Sequence, residues 1–279
     1  MNNKGETQNE DIIIDCLQPW STFVMKTKLP PIILEKMLNV TDRIYDNRKK
    51  TEIWNQPSIS HGDKLAGQIE NEFTITPGRP SAGTITPEFL ADQSTMDFFE
   101  GVTKIFITQS FKQNDVYVPL NNKEKEKRAN RDNWLVDIHA MWSVHQKDNE
   151  YNPIHVHSEC DVSAVMYLKI PEYLPSRKIL EYPHPNKSNK LGGKSANLDY
   201  DGTINFTNST GNVSYRWGQP TMTIHPQVGD FFIFPSTQQH LVYPFRTSDG
   251  KGERRSVSFN ARFISIEDYE KIQKEGKDE

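Results

Sequence analysis

Residues 134–145 read "WLVDIHAMWSVH", a run rich in β-branched and aromatic side chains that marks a change in the composition of the chain. Similar short runs follow, separated by Gly, Pro, Asn and Asp, at 162–170, 203–207, 213–217, 221–225, 229–235 and 256–264. Such runs are typical of strands, and no helical pattern long enough to cross over a parallel sheet lies between them. The pattern predicts a mainly β protein with an antiparallel sheet or barrel.

The chain before Trp134 predicts two helices that flank this β region. Pro30 and Pro31 suit the first turn of a helix, and the apolar side chains after them recur at helical spacing. A second helix is predicted from about Pro87 to Gln113. The buried candidates on the two helices are Ile33, Met37, Val40, Ile44, Phe89, Phe99, Val102 and Phe106.

These elements predict one domain over residues 11–279, preceded by a polar tail at 1–10 that we expect to be disordered. Residues 11–133 form its helical, supporting part and residues 134–263 its β core. Residues 264–279 are predicted to form a closing helix, because Ser265 and Asp268 have the spacing of a helix cap.

Composition excludes several classes of function. The net charge is −4 and the sequence pI is about 6.1, so nothing indicates nucleic acid or an acidic membrane surface as a partner. Two cysteines, Cys16 and Cys160, make neither a disulfide framework nor a zinc knuckle, which favours a reduced, cytoplasmic setting. We find no signal-peptide pattern and no apolar run long enough to span a membrane. Nothing in the sequence indicates an oligomeric state.

The stretch "NPIHVHSEC", which begins at Asn152, holds the clearest candidate for chemistry. On a strand, residues two apart point to the same face, so His155 and His157 would project together, as would His157 and Glu159. A further histidine, His240, follows the apolar run 229–235. A short ligand motif with a distal histidine is the layout of a non-haem iron site in a barrel, with positions left open for substrate and O₂.

Arg254 lies on the alternating run "ERRSVSFN" (253–260), after the distal histidine. A permanently charged guanidinium that faces a barrel interior is costly unless it meets an anion. Arg255 would then point the other way, toward solvent. On parity Arg262 points as Arg254 does, so it is a second candidate for the anion-binding role.

Four motifs in order resemble a known family: "MWSV", "HVHSECDVSAVMYLKIP", "GDFFIFPSTQQHLVYPF" and "ERRSVSFN". They are similar to the His-x-His type of 2-oxoglutarate/Fe(II)-dependent oxygenases of bacteria and phages, which are relatives of the prolyl hydroxylases. The resemblance covers roughly residues 134–263. It implies a double-stranded β-helix, also called a jelly roll, with a cupin-like architecture.

The same resemblance implies a role for individual residues. His155, His157 and His240 would surround Fe(II), and Arg254 with Ser256 would hold the distal carboxylate of 2-oxoglutarate. Tyr167 matches a position that often hydrogen-bonds that carboxylate. The implied reaction decarboxylates 2-oxoglutarate with O₂ to succinate and CO₂ and hydroxylates a substrate, which could be a small molecule or a peptide or protein side chain such as proline.

Two ligand sets stay open at this point. One is His155, His157 and His240, with no carboxylate; the other is His157, Glu159 and His240, with His155 outside the ligand shell. Three neutral imidazoles leave the full charge of the ion for the dianionic co-substrate to neutralise, whereas a carboxylate ligand lowers that charge. Alignment with the family pattern favours the three-histidine set.

Other functions fit parts of the same pattern. A cupin-like isomerase or metal sensor would also carry His-x-His, although it needs no anion-binding Arg254 and Ser256. A structural or interaction protein would bind no catalytic metal at all. The polar segment 175–202 is long enough to be a candidate lid or substrate loop. If the gene were carried by a phage, the enzyme would act in the host cytoplasm.

Overall fold

A computed structural model describes residues 14–17, 23–48, 67–76, 90–114, 121–174, 200–207 and 221–275. Within these ranges it contains four helices, α1 (Pro31–Asn47), α2 (Gln93–Asn114), α3 (Asn122–Ala129) and α4 (Ile266–Glu275). Its strands are β1 (Ile14–Leu17), β2 (Val24–Lys28), β3 (Glu72–Thr74), β4 (Trp134–Lys147), β5 (Asn152–His155), β6 (Val162–Lys169), β7 (Ile204–Thr207), β8 (Thr221–Ile224), β9 (Asp230–Pro235), β10 (His240–Val242) and β11 (Glu253–Ser265).

The described strands form two antiparallel sheets. The larger sheet has the order β1-β2-β9-β6-β11-β4-β3, and the smaller has the order β5-β10-β7-β8. Most neighbours in each sheet, such as β2 with β9, β6 with β11 and β5 with β10, are distant in sequence, as expected for a jelly roll whose chain passes back and forth between two facing sheets. The fold is the predicted double-stranded β-helix, mainly β with flanking helices.

The larger sheet is buried on both faces, which explains why two of its central strands, β6 and β9, are largely apolar. On β9, Phe231 and Ile233 pack into the core on the helix side, whereas Phe232 and Phe234 point between the two sheets. On β11, Val257 and Phe259 belong to the helix side. The opposite face of β11 carries polar residues instead, and it faces the candidate site.

Helices α1 and α2 cover the outer face of the larger sheet. Both belong to the predicted supporting part, and the predicted stripe of α1 is buried as expected. Phe99, Val102 and Phe106 of α2 are buried in the same core. Phe89, predicted to belong with them, lies outside the described residues. These helices hold the sheet rigid behind the polar face of β11.

The supporting part also contributes strands, in addition to its two predicted helices. β2 pairs with β9, and β3 pairs with β4, so both extend the larger sheet. β3 is only three residues long, too short to show alternation in the sequence. The predicted tail at 1–10, the run 213–217 and most of the loop 175–202 lie outside the described residues.

The C-terminal helix α4 begins where the cap predicted it. The backbone N–H of Asp268 donates to Ser265 Oγ, and Ser265 Oγ donates to the Asp268 carboxylate. Among the described residues, no helix is both long and apolar enough to cross a membrane.

Candidate active site

Two strands of the smaller sheet bring His155 and His240 together. β5 ends at His155 and β10 begins at His240, and the two residues are direct partners in the antiparallel register. Directly opposed residues point to the same face of a sheet. The imidazole rings of this pair therefore meet, with centroids 4.2 Å apart.

His157 joins the pair from just beyond the end of β5. Its backbone N–H donates to the carbonyl of Ser236 at 2.9 Å, which fixes the chain beside the turn between β9 and β10. Its Nε2 lies 3.4 Å from Nε2 of His240. Two nitrogens bound to a common ion at roughly 2.1 Å would be about 3.0–3.4 Å apart for cis or tetrahedral angles. The separation suits two ligands of one metal.

Backbone carbonyls orient two of the rings. Nδ1 of His155 lies 2.7 Å from the carbonyl oxygen of Pro153, and Nδ1 of His240 lies 2.9 Å from that of Gln238. A carbonyl only accepts, so each Nδ1 carries the proton and each Nε2 keeps its lone pair. This is the arrangement by which proteins prepare a histidine for a metal.

The electrostatics of the cluster also favour neutral, metal-binding imidazoles. Burial lowers the pKa of His155 from its ordinary value. Burial, and in addition the neighbouring His155 and His157, hold the pKa of His240 well below its ordinary value. Potential ligand atoms of the three histidines all lie within 4.8 Å of one another. The cluster therefore fits a divalent metal, since ligation requires the unprotonated ring.

Glu159, the alternative ligand, lies elsewhere. It has a positive φ of 60°, which turns the chain away from the strand parity that would align it with His157. Its backbone carbonyl accepts a hydrogen bond from Arg262 Nε at 2.8 Å. Among the described residues, the group of potential ligand atoms contains the three histidines and not Glu159.

The larger sheet supplies the opposite wall. Arg254, Ser256 and Ser258 of β11 pair directly with residues 146, 144 and 142 of β4, and all six side chains line one cavity. His155 and His240 line the same cavity. The enclosed volume of this cavity is about 50 Å³.

Arg254 is buried in this wall without an acidic partner. Its Nη1 donates to the carbonyl of Gly202 at 2.5 Å and its Nη2 donates to Oε1 of Gln146. Both acceptors are neutral, and Nε has no hydrogen-bond partner among the described residues. A buried guanidinium with only neutral partners and a spare N–H fits an anionic ligand.

Two tyrosines near Arg254 add buried hydroxyl groups that, like Nε of Arg254, have no hydrogen-bond partner among the described residues. These groups are Tyr167 Oη and Tyr173 Oη. Burial raises the pKa of both phenols, while the nearby Arg254 charge partly opposes that shift. Tyr167 is also the direct partner of Ser256 across β6 and β11. The donors here suit a carboxylate.

The other two arginines of β11 differ from expectation. Arg255 does point away from the cavity, but it is buried under α1, where it contacts Asp42 and Glu253, rather than facing solvent. Arg262 shares the face of Arg254, since Ala261 and Phe263 on either side of it pack on the helix side, but it is exposed near the end of β11 and donates to the carbonyl of Glu159. Arg262 therefore does not share the cavity with Arg254.

Sequence reasoning missed three polar residues around Arg254 and the metal ligands. Gln146 and Asn152 line the cavity, and Tyr173 lies beside Gly202 and Phe245. A parity argument from Trp142 along β4 would have found Gln146. No local signal marks Tyr173, because the contacts that place it come from residues 200–202 and 245.

Comparison with known proteins agrees with this geometry. Residues 140–260 match the family model described as "Putative 2OG-Fe(II) oxygenase". The match includes all three histidines together with Tyr167, Arg254 and Ser256. No curated protein matches the chain significantly.

Solved structures that are similar to this chain include the following three. A prolyl-4-hydroxylase from Pseudomonas putida is 14% identical, with 86% of this chain and 92% of that one covered and a TM-score of 0.41. AviO1 from Streptomyces viridochromogenes is 10% identical, with 86% and 89% covered and a TM-score of 0.44. A prolyl hydroxylase from Trichoplax adhaerens, solved with a peptide fragment, is 9% identical, with 87% and 83% covered and a TM-score of 0.43.

Likeness at these scores says nothing about the substrate of this chain. The double-stranded β-helix, the histidine cluster and the buried arginine are the features that a non-haem metal enzyme of this class would carry. Residues 140–260, which carry these groups, match the 2-oxoglutarate/Fe(II) oxygenase family, whose members are oxidoreductases that use Fe(II), 2-oxoglutarate and O₂.

Proposed function

We propose that His155, His157 and His240 hold the Fe(II) ion, each through Nε2. The observation that carries the proposal is the convergence of these rings opposite a buried, acid-free Arg254 in a single cavity. The prepared tautomers of His155 and His240 support the three-histidine set. Glu159 as a ligand would require the chain after His157 to turn back toward the cavity.

We further propose that Arg254 binds the distal carboxylate of 2-oxoglutarate. Its unpartnered Nε and the unpartnered hydroxyl of Tyr167 are the donors that such a carboxylate would satisfy. Ser256 adds a hydroxyl between them on the same face. Gln146 and the carbonyl of Gly202 hold the guanidinium in place before the ligand arrives, which lowers the entropy cost of binding.

Bound Fe(II) would activate O₂, which is the oxidant, while 2-oxoglutarate and the substrate would each supply two electrons, so that one atom of O₂ ends in succinate and the other in the substrate. The chain itself orients and protects these groups. Phe234 packs against the ring of His240 with centroids 4.8 Å apart, and Val242 and Ile204 complete an apolar wall. This wall limits access of water to the metal side of the cavity.

A peptide or protein side chain, proline among the candidates, is the substrate class that we propose. β5 is an edge strand of the smaller sheet in the described part of the chain, and it ends at a metal ligand. An extended peptide that pairs with such an edge would present alternate side chains toward the metal. Ile154 and Val156, half exposed on the outer face of this segment, offer apolar contact to the same partner.

We also propose that residues 11–279 form one domain that acts in the cytoplasm. The pairing of β2 with β9 and of β3 with β4 supports a single domain. The one cysteine described with its side chain, Cys160, is free, as expected in a reducing compartment.

The test of the proposed function is turnover with defined peptides. Purified protein would be supplied with Fe(II), 2-oxoglutarate, O₂ and pools of extended peptides, and succinate would be measured together with peptide mass. We expect 2-oxoglutarate-dependent succinate formation that a subset of peptides stimulates, and those peptides should gain one oxygen atom. Succinate formation that no peptide stimulates, but a small metabolite does, would contradict the peptide assignment.

A further inference from the structure

One row of side chains crosses four neighbouring strands of the larger sheet. Tyr167 on β6 is opposite Ser256 on β11, Ser256 is opposite Val144 on β4, and Val144 is opposite Glu72 on β3. Directly opposed residues point to one face, and the first three line the cavity. Glu72 therefore points into the space between the sheets, about 10 Å beyond Ser256 at the usual strand spacing.

Glu72 is buried there without a partner. Its side chain is 1% exposed, and neither carboxyl oxygen has a hydrogen-bond partner among the described residues. The charged group that acts on it is another acid, Glu150, and burial together with this neighbour raises its pKa to about 8. A buried acid with no partner is a costly feature that core packing does not need, because an apolar residue would fill the space better.

The row places two polar groups of opposite character on the face toward the cavity. Arg254 and Tyr167 line the cavity and suit the co-substrate carboxylate, whereas Glu72 lies one strand beyond Val144, which is part of the lining. Trp142 lies diagonally across from Glu72, since its direct partner on β3 is Thr74, and its ring is 6.0 Å from that of His157. The Glu72 side of this face is thus next to the metal ligands without overlapping the Arg254 side.

We infer that Glu72 binds the substrate and that the substrate side chain carries a cationic nitrogen, as lysine or arginine does. This inference rests on the proposed oxygenase function and narrows its substrate. A cation is the ligand that a buried carboxylate requires, and the face of Trp142 attracts the same charge. Binding would release the proton of Glu72 to solvent, leaving the carboxylate paired with the ammonium or guanidinium group.

The experiment compares peptide pools that differ at one fixed residue: lysine, arginine, proline or leucine. Binding is measured by calorimetry to full-length protein loaded with Zn²⁺ and 2-oxoglutarate without O₂, and turnover is measured with Fe(II). The test variant is Glu72→Gln, which keeps the shape of the side chain. The control is Glu70→Gln, which removes an exposed carboxylate two residues away in the same segment.

We expect the lysine or arginine pool to bind wild type and Glu70→Gln with equal affinity. The same pool should bind Glu72→Gln at least about 30-fold more weakly. Affinity for 2-oxoglutarate and metal should not change in either variant. Carboxyl-labelled glutamate should also show, by NMR, that the cationic pool lowers the pKa of Glu72, a response that a purely structural acid would not give.

Three results would overturn the inference. These are equal binding of the cationic pool by wild type and Glu72→Gln, binding of the neutral pools only, or no binding of either cationic pool to protein that binds Zn²⁺ and 2-oxoglutarate. Failure of the wild-type protein to bind metal or 2-oxoglutarate would instead refute the proposed function, so the two failures can be told apart.

Discussion

Arg254 and Arg255 are neighbours on one strand, and both are buried, with 3% and 2% of their surface exposed. Their surroundings nevertheless differ sharply. Arg255 points to the helix side, where Nε contacts Glu253 at 2.6 Å and Nη1 contacts Asp42 at 2.5 Å. Arg254 points to the cavity, where its partners are a carbonyl and an amide. The charge of Arg255 is neutralised by these acids, whereas no acidic residue in the described part of the chain pairs with Arg254.

This difference separates a structural arginine from a ligand-binding one. Alternation along β11 assigns the two faces, and α1 supplies Asp42 to only one of them. A guanidinium whose charge is met by the fold contributes to stability, whereas one left with neutral partners costs stability until a ligand binds. The same reasoning distinguishes the unpartnered Glu72 from Glu253, which has three basic neighbours.

Loss of a metal ligand should abolish the turnover of 2-oxoglutarate. We expect His240→Ala to reduce 2-oxoglutarate turnover by more than about 100-fold, since even changes behind a ligand cost 10–100-fold. Succinate formation and bound iron would be measured together. Normal turnover in this variant would remove His240 from the ligand set.

Replacement of the cavity arginine should weaken the co-substrate while sparing the fold. We expect Arg254→Met to bind 2-oxoglutarate about 30-fold more weakly or worse, with metal content unchanged, because a buried charge pair is lost. The free energy of unfolding should change by less than about 1.5 kcal/mol. Calorimetry and urea unfolding provide the two readouts. Loss of iron together with 2-oxoglutarate would argue against the assigned role.

Replacement of the other arginine should have the reverse profile. We expect Arg255→Met to lower the free energy of unfolding by about 2–4 kcal/mol, because Glu253 and the half-exposed Asp42 lose their partner. Affinity for 2-oxoglutarate in the folded fraction should stay within about threefold of wild type. A variant as stable as wild type would show that the ion pairs on the helix side contribute little.

These contrasts also show what the sequence could predict. The alternation of "ERRSVSFN" predicted that Arg254 and Arg255 point to opposite faces, since strand parity is a local property. It did not predict that Arg255 is buried, because the helix that covers it is more than 200 residues away. Parity also assigned Arg262 to the face of Arg254, but it did not show that Arg262 lies near the end of β11, outside the cavity.

The histidines show the same boundary between local and distant information. The spacing of His155 and His157 predicted a chelating pair, whereas the contact with His240 depends on the pairing of β5 with β10, for which the sequence offered only the family resemblance. The positive φ at Glu159 has no sequence signal, because glutamate is not a residue that favours that conformation. Glu72 was missed for a similar reason, as its strand is three residues long.

The unpartnered acid should make stability depend on pH. The pKa of Glu72 is raised to about 8 in the folded protein, because the buried carboxyl is favoured in its neutral form. The stability that comes from this preference is fully present below the ordinary pKa near 4.5 and is lost as the pH rises toward 8. We therefore expect Glu72→Gln to be more stable than wild type at pH 8, by up to about 2–4 kcal/mol, and to approach it near pH 5. Urea unfolding across this range measures the difference, and a constant difference would contradict the raised pKa.

The alternative ligand should have the mildest phenotype. We expect Glu159→Ala to keep iron and turnover within about threefold of wild type, because its side chain lies outside the histidine group. His155→Ala, in contrast, should lose iron. If the two variants exchanged these phenotypes, the His-x-Glu set would replace the three-histidine set.

The most direct test of the central claim is an anaerobic titration of wild type and Arg254→Met with Fe(II) and then 2-oxoglutarate, following the visible charge-transfer band of the iron–ketoacid complex. The account predicts that wild type forms the band at stoichiometric metal. It predicts that Arg254→Met binds the same amount of iron but needs at least about 30-fold more 2-oxoglutarate to form the band. Wild-type protein that binds iron without any band, or a variant that titrates like wild type, would contradict it.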